Sequence, residues 1–305
     1  MDKRKINKIN LNYSKPNINL LNLPFFVFRK EPFKKRKKLF KLFFILNSYL
    51  VTLLFKFFEK QNFCYFMNIY FQKDGTIEYS KDYDLYLKNY NKKKIYYPNK
   101  FRIAGSMVNH GYEMNNLLDS YCLNLFEFEE EDVIVDCGAN IGMFYLSLSE
   151  HITNFYYFGY EPDEKVFKCL DLNLENSKYI NLKNVALSNT KTNKKFFLNS
   201  NSGDSSLEEF STDQVIDIKT TTLDLENIGK IKLLKIDAEG HELEVLQGSK
   251  GSLNSIEFIC IDMGGEKGDS KDTTLVPVTN FLLLNGFELI GFNPERCVGL
   301  FKNLN

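Results

Sequence analysis

Three short runs hold the residues whose types and spacing could do chemistry. The first, Asp136-Cys137-Gly138-Ala139-Asn140-Ile141-Gly142, follows the apolar Val133-Ile134-Val135 and opens a stretch of helical periodicity. In open α/β sheets ligands bind beyond the carboxyl ends of the strands. Small residues there let the backbone approach a ligand without a Cβ in the way. A nicotinamide fingerprint would read G-x-G-x-x-G, with a helix N-terminus aimed at a pyrophosphate. Here an Asp precedes the first Gly and an Asn stands two residues after it. That set suits a ligand with cationic centres better than a pyrophosphate. The second run is Tyr160-Glu161-Pro162, whose Glu161 comes 25 residues after Asp136 and ends another apolar run. A carboxylate at that point can accept both hydroxyls of a ribose. The third, Leu233-Leu234-Lys235-Ile236-Asp237-Ala238-Glu239-Gly240-His241-Glu242, brings Asp237 and Glu239 to the same sheet end.

Positioning these runs requires a sheet. Apolar runs at 133–136, 155–160, 182–187, 231–236 and 256–262 read as buried strands, and periodic stretches at 142–150, 163–176, 240–250 and 273–285 read as helices. Their alternation implies βαβ units and a mostly parallel sheet. Two short strands, 193–199 and 214–220, are inserted before the fourth main strand. Phe287–Phe292 and Cys297–Phe301 flank Asn293-Pro294-Glu295-Arg296 as a closing hairpin. A mostly parallel, Rossmann-like sheet ending in an antiparallel hairpin is the α/β architecture expected of class I methyltransferases. Upstream, 107–126 has helical spacing. Strands are expected at 68–72 and 76–80 about an Asp74-Gly75 turn.

With these residues in place, the chain resembles the FkbM-type family of S-adenosylmethionine-dependent methyltransferases. The resemblance rests on Asp136–Gly142, Glu161-Pro162, Asn184-Val185-Ala186-Leu187, Thr222-Leu223-Asp224, Lys235–Glu242 and Leu246-Gln247-Gly248, and covers about residues 130–290. It implies S-adenosyl-L-methionine as cofactor, a ligand with sulfonium and ammonium groups but no phosphate. Asp136, Gly138, Asn140, Gly142, Glu161, Asn184 and Ala186 are then the candidate cofactor residues, with Ser188 beside them. The implied reaction is methylation of a hydroxyl on a sugar, glycan or other small hydroxylated acceptor. Asp237, Glu239 and His241 are the catalytic candidates, since a neutral hydroxyl benefits from a base. Glu242 is expected to orient the Asp237 loop, while Asp262 and Glu266 reach the next strand end. No metal is expected, although several carboxylates about one cleft leave a divalent ion as an alternative. Ser202, Ser205 and Ser206 lie in a polar segment that reads as a lid or a solvated loop. The alternatives are an RNA 2′-O-methyltransferase, which would want a basic cleft, a nucleotide-dependent oxidoreductase, disfavoured by the missing fingerprint, and a non-catalytic membrane-associated adaptor retaining the fold.

The charge of the 305-residue chain sums to zero but is unevenly placed. Residues 1–60 carry 15 basic and three acidic side chains, a surplus of 12 positive charges, and residues 61–305 carry the opposite surplus. This suggests a basic, partly helical extension (1–60), an acceptor-side region (61–128) and a methyltransferase domain (129–305). An acidic body disfavours a nucleic-acid partner. Within the extension, the apolar stretch between Lys41 and Lys56 is 14 residues long and contains Asn47, Ser48 and Thr52, short of the roughly 20 that a spanning helix wants. The readings are packing on the body, peripheral contact of residues 30–60 with anionic membrane, and a span or a nucleic-acid tail. Six cysteines without a C-x-x-C pair fit a reducing compartment. The expected location is therefore cytoplasmic, with a peripheral position at the inner face of a membrane as its extension.

Overall fold

The computed structural model describes residues 38–70, 75–91, 93–107, 110–198, 205–209, 212 and 214–305. Contacts divide the chain into two units, Met1–Phe57 and Phe58–Asn305. The described part of the first unit is one helix, α1 (Lys38–Phe57). None of the described helices is long and apolar enough to cross a membrane.

The second unit opens with α2 (Lys60–Tyr70), the antiparallel meander β1 (Thr76–Ser80), β2 (Leu85–Tyr90) and β3 (Lys93–Tyr97), then α3 (Lys100–Gly105) and α4 (His110–Ser120). The strand expected at 68–72 is corrected here: residues 68–70 close α2, and 71, 72 and Asp74 lie outside the described residues. Phe63, Cys64 and Met67 are buried, the one-and-four spacing of a helix face, and the helix they anchor runs on through Ile69 and Tyr70 despite the strand propensity of these two. The Asn68 side chain donates to the Ile77 carbonyl and accepts from its N–H, tying α2 to β1.

The α/β body follows as β4 (Val133–Cys137), α5 (Met143–Leu148), β5 (Tyr156–Tyr160), α6 (Glu164–Leu174), β6 (Ile180–Lys183), β7 (Ala186–Leu187), β8 (Asn193–Phe197) and β9 (Val215–Thr221). It continues with α7 (Leu223–Glu226), β10 (Ile231–Ile236), α8 (Glu242–Gln247), β11 (Ile256–Asp262), β12 (Gly265–Lys267), β13 (Asp272–Thr273), α9 (Leu275–Leu284), β14 (Phe287–Asn293) and β15 (Val298–Asn303). The main sheet has the order β14-β15-β11-β10-β4-β5-β6. Its five strands from β11 to β6 are parallel, and β15 runs antiparallel to both β11 and β14. The expected parallel sheet with a terminal antiparallel hairpin is therefore present.

Strands of such a sheet are covered on both faces, so they read as continuous apolar runs. Leu233, Leu234, Ile236, Ile259 and Ile261 are all fully buried. Each contributes about 1.5–3 kcal/mol, which keeps the carboxyl ends of β4, β10 and β11 stiff. The expected single strand at 182–187 is instead β6 and β7, which belong to different sheets. Between them the Asn184 amide donates to the carbonyls of Glu161 and Pro162 and turns the chain.

Candidate functional site

A cleft of about 670 Å³, counted out to its open mouth, lies at the carboxyl ends of β4, β5 and β10. Its floor is made by the loop after β4. The N–H groups of Gly138 and Ala139 both donate to the Tyr160 carbonyl at 3.0 Å, and the Asp237 N–H donates to the Cys137 carbonyl at 3.1 Å. Gly138 has φ +77°, and a Cβ there would lie 2.0 Å from the Asp237 carbonyl oxygen. Glycine is thus required for the β4 loop to pass the β10 loop. Asn140 is also left-handed (φ 52°), a conformation its short polar side chain tolerates. Its Oδ1 accepts from Arg102 at 2.6 Å and from the Ile141 N–H at 2.8 Å.

Asp136, expected to face the cofactor, lies beneath this floor. It is fully buried and forms an ion pair with Lys235 Nζ at 2.8 Å, while Tyr157 donates to its other oxygen at 2.5 Å. Lys235, paired with it across the parallel β4–β10 ladder, also donates to the Gly138 carbonyl at 2.8 Å. Burial alone would discharge that ammonium, but Asp136, Tyr121 and Asp237 around it hold its pKa well above the ordinary value. Asp136 therefore braces the loop from below. Gly142 (φ +87°) faces α6, where a Cβ would meet Leu174 Cδ1 at 2.6 Å. Asn184 shapes the loop after β5 from outside the cleft. Of the other cofactor candidates, Gly138, Asn140, Glu161 and Ala186 line it.

Glu161 ends β5 with its carboxylate buried. Oε2 accepts the Asn140 N–H at 3.0 Å and Oε1 the Asp163 N–H at 2.9 Å. Burial pushes its pKa up to about 7, against the opposing pull of these donors and Arg102. Beyond it Pro162, Val166, Ala186, Leu187, Phe196 and Leu207 form an apolar wall.

At the opposite side Asp237 lines the cleft. Tyr121 donates to its Oδ2 at 2.5 Å. Arg296 lies 3.5 Å from the same oxygen and donates to Asp262 Oδ2 at 2.8 Å and to the Tyr121 hydroxyl at 3.2 Å. The guanidinium also stacks on the Tyr121 ring, 4.7 Å from its centroid. Burial works against the charge on Asp237, but Lys235, Arg296 and Tyr121 overcome it and hold the carboxyl below the usual range. Asp262 shifts the other way, raised by burial and by the neighbouring Asp237. The hydrogen bond from Tyr121 and the contacts with Arg296 and Lys235 all fall on Oδ2 of Asp237.

Glu239 (φ 51°) also lines the cleft, and its carbonyl accepts from Ser206 Oγ at 2.6 Å. Glu242 is an internal brace: Oε1 accepts the Gly240 N–H at 2.8 Å and Oε2 accepts Thr274 Oγ1 at 2.8 Å. Burial raises its pKa to about 7. His241 borders the cleft, but both of its ring nitrogens are engaged. Nε2 meets Ser188 Oγ and Nδ1 meets Glu208 Oε1, each at 2.9 Å. Lys194 Nζ can only donate, and it does so to Ser188 Oγ at 2.8 Å. The Glu208 carboxylate can only accept, which places a ring proton on Nδ1. Ser188, expected near the cofactor, is fully buried behind His241.

Glu208, His241 and Glu244 also bring one ligand atom each within 4.8 Å of one another. Lys267 Nζ lies 3.7 Å from Glu208 and 3.8 Å from Glu244, supplying positive charge to that group. Ser205 lines the cleft, and Ser202 lies outside the described residues. Arg102, Tyr121, Glu208 and Arg296 were not singled out in the sequence. Arg296 alone had a signal, a cation inside the turn of the closing hairpin.

Comparison with known proteins bears on this site. The family described as the methyltransferase FkbM domain matches residues 136–289, which include all of β4's terminal motif and the β10 loop. The hexuronic acid methyltransferase AglP of Haloferax volcanii is 31% identical over 166 residues, covering 50% of this chain and 64% of that protein. The match thus spans just under two thirds of that relative. Methyltransferase 1 of Beauveria bassiana is 23% identical over 176 residues, 48% of this chain and 71% of that one. Among solved structures, the methyltransferase FkbM of Methylobacillus flagellatus superposes with a TM-score of 0.43 at 20% identity, covering 59% of this chain and 45% of that one. The chain belongs to the methyltransferase FkbM domain family.

Proposed function

We propose that the chain is an S-adenosylmethionine-dependent methyltransferase that O-methylates a hydroxyl of a sugar, glycan or similarly hydroxylated small acceptor. The observation that carries this reading is the pairing of two unlike carboxylates in one cleft: Glu161, cradled by backbone N–H groups, and Asp237, held ionised with one oxygen clamped.

The cleft fits the cofactor in its donor set. Each Glu161 oxygen uses one lone pair on a backbone N–H, so each retains capacity for one ribose hydroxyl. The apolar wall from Pro162 to Leu207 offers a face for an adenine ring. The tight Gly138 turn is filled by the Asp237 carbonyl, so it offers no cradle for a pyrophosphate. Bound there, S-adenosylmethionine supplies an electrophilic methyl group on a sulfonium whose departure as a thioether needs no acid.

The chain's remaining tasks are alignment and proton removal. Asp237 Oδ1 accepts the hydrogen bond of the acceptor hydroxyl and takes its proton as the new C–O bond forms. Tyr121 and Arg296 fix the carboxylate's orientation through Oδ2. Glu239 lines the same wall and is the second candidate for contact with the acceptor. The sugar acceptor is supported by the similarity to AglP, named a hexuronic acid methyltransferase. Calorimetric titration with S-adenosylhomocysteine tests the cofactor, and absence of binding refutes the whole reading. Methyl transfer to glucuronic-acid-containing glycans, followed by mass spectrometry, tests the acceptor class; transfer only to RNA, or only to an amine, refutes it.

A further inference from the structure

The helix ahead of the catalytic unit carries an apolar face that nothing in the cofactor chemistry uses. Leu46, Tyr49, Leu50, Leu53 and Phe57 are 60%, 41%, 45%, 50% and 70% exposed. Their spacings of three, one, three and four residues place all five within an arc of about 100° on an α-helix. Val51 and Phe55, on the opposite side, are buried, so the exposed stripe is an additional face. At 20 residues the helix is about 30 Å long, but it carries Lys41, Asn47, Ser48, Thr52 and Lys56, and none of the described helices is long and apolar enough to cross a bilayer. A contiguous apolar stripe on a water-facing helix calls for a partner.

Charge identifies the partner. Lys34, Lys35, Arg36, Lys37 and Lys38 run directly into the helix, Lys41 lies in its first turn, and Lys56 is in its last. Over residues 1–60 only Asp2, Glu31 and Glu59 oppose 15 basic residues. An apolar stripe continuous with a polybasic run matches an anionic lipid surface on both counts: acyl chains take the stripe and headgroups take the cations. A second copy of the same helix would meet this charge with its own.

We propose that α1 lies in the interface of an anionic membrane, with Leu46, Tyr49, Leu50, Leu53 and Phe57 inserted and the Lys34–Lys38 run on the headgroups. This face is independent of the catalytic reading, because no residue of the cleft belongs to it.

The test is vesicle flotation of the full chain. Vesicles containing about 30% phosphatidylglycerol in phosphatidylcholine should carry about tenfold more protein than phosphatidylcholine alone, and about 0.5 M NaCl should release most of it. The double variant Leu50→Asp/Leu53→Asp and, separately, replacement of Lys34–Lys38 by Gln should each cut flotation about tenfold. Their melting temperature and S-adenosylhomocysteine affinity should remain those of the parent. The inference is overturned if the parent fails to float with anionic vesicles or if both variants float like the parent. It is also overturned if sedimentation shows a dimer that Leu50→Asp/Leu53→Asp dissolves while vesicle binding is unaffected.

Discussion

Glu161→Gln separates the ligand-binding use of this carboxylate from its cost to the fold. In the free protein burial raises its pKa to about 7, whereas an unfolded Glu titrates near 4.3. A group whose folded pKa is raised contributes full relative stability below the unfolded value, and loses it as pH rises through the folded value. Each pKa unit is worth about 1.4 kcal/mol, so Glu161 should lower stability by roughly 2–3 kcal/mol between pH 5 and pH 8. Gln carries no charge and removes this slope. It introduces one cost of its own: the amide can offer its oxygen to either the Asn140 or the Asp163 N–H, and its NH2 then faces the other donor, at about 1–3 kcal/mol. Thermal melts of the apo variant should therefore fall less steeply from pH 5 to pH 8 than those of the parent.

Ligand binding should move oppositely. Ribose hydroxyls donate to the ionised carboxylate, so the parent should bind S-adenosylhomocysteine about tenfold more tightly at pH 8 than at pH 6, as the ionised fraction rises through a pKa near 7. Loss of two charge-assisted hydrogen bonds at about 1.5–3 kcal/mol each, less the amide's residual acceptor strength, leaves about 2–4 kcal/mol. That is roughly a 30- to 1,000-fold weaker Kd at pH 8, with the tenfold pH dependence gone. Titration calorimetry across pH 6–8 reads both numbers. A variant that binds as tightly as the parent, or keeps the same pH dependence, refutes the assignment of Glu161 to the ribose.

Other substitutions probe the opposite wall. Asp237→Asn should lower kcat about 10²- to 10⁴-fold while S-adenosylhomocysteine affinity changes little; a kcat within tenfold of the parent refutes the base assignment. Arg296→Met leaves Asp237 and Asp262 adjacent without their shared cation, and should cost about 3–5 kcal/mol near neutral pH. Part of that should return on acidification as one carboxyl protonates, so denaturant melts that are equally affected at all pH values contradict the clamp. His241→Phe strands Ser188 and Glu208 and should cost about 2–4 kcal/mol of stability. Its kcat per folded molecule should stay within about tenfold of the parent, whereas loss of a general base removes about 10²-fold or more.

The parts of this site that the sequence disclosed are those whose partners lie nearby or on backbone. β10 and β11 were readable to their end residues because a doubly covered parallel strand is a run of Ile and Leu closed by a turn. Glu161 was readable because the end of the second strand faces the loop of the first, whatever the intervening helix contains. The side-chain partners were hidden for the converse reason. Tyr121 precedes Asp237 by 116 residues and Arg296 follows it by 59; the segment after α4 delivers the first, and the closing of β15 onto β11 delivers the second. Asp136 shows the limit of reasoning from strand ends alone. With both sheet faces buried, no alternation of polar and apolar residues reveals which way an acid points. Its pairing follows from register, which sets Lys235 beside it in the β4–β10 ladder.

That pairing alters how the acidic surplus of the catalytic unit should be understood. Carboxylates meeting at strand ends would by themselves repel one another and resist folding. Here Asp136, Asp237 and Asp262 share two cations, Lys235 and Arg296, so with all three ionised a single negative charge is left over. The two cations do not line the cleft, whereas Asp237 and Glu161 do. In the proposed reading, attraction for the sulfonium would draw on this residual charge together with Glu161, not on the acid count. Neutralising Lys235 should accordingly disrupt the fold, because it unpairs a fully buried Asp136, whereas neutralising Asp237 should spare the fold and remove the proton acceptor.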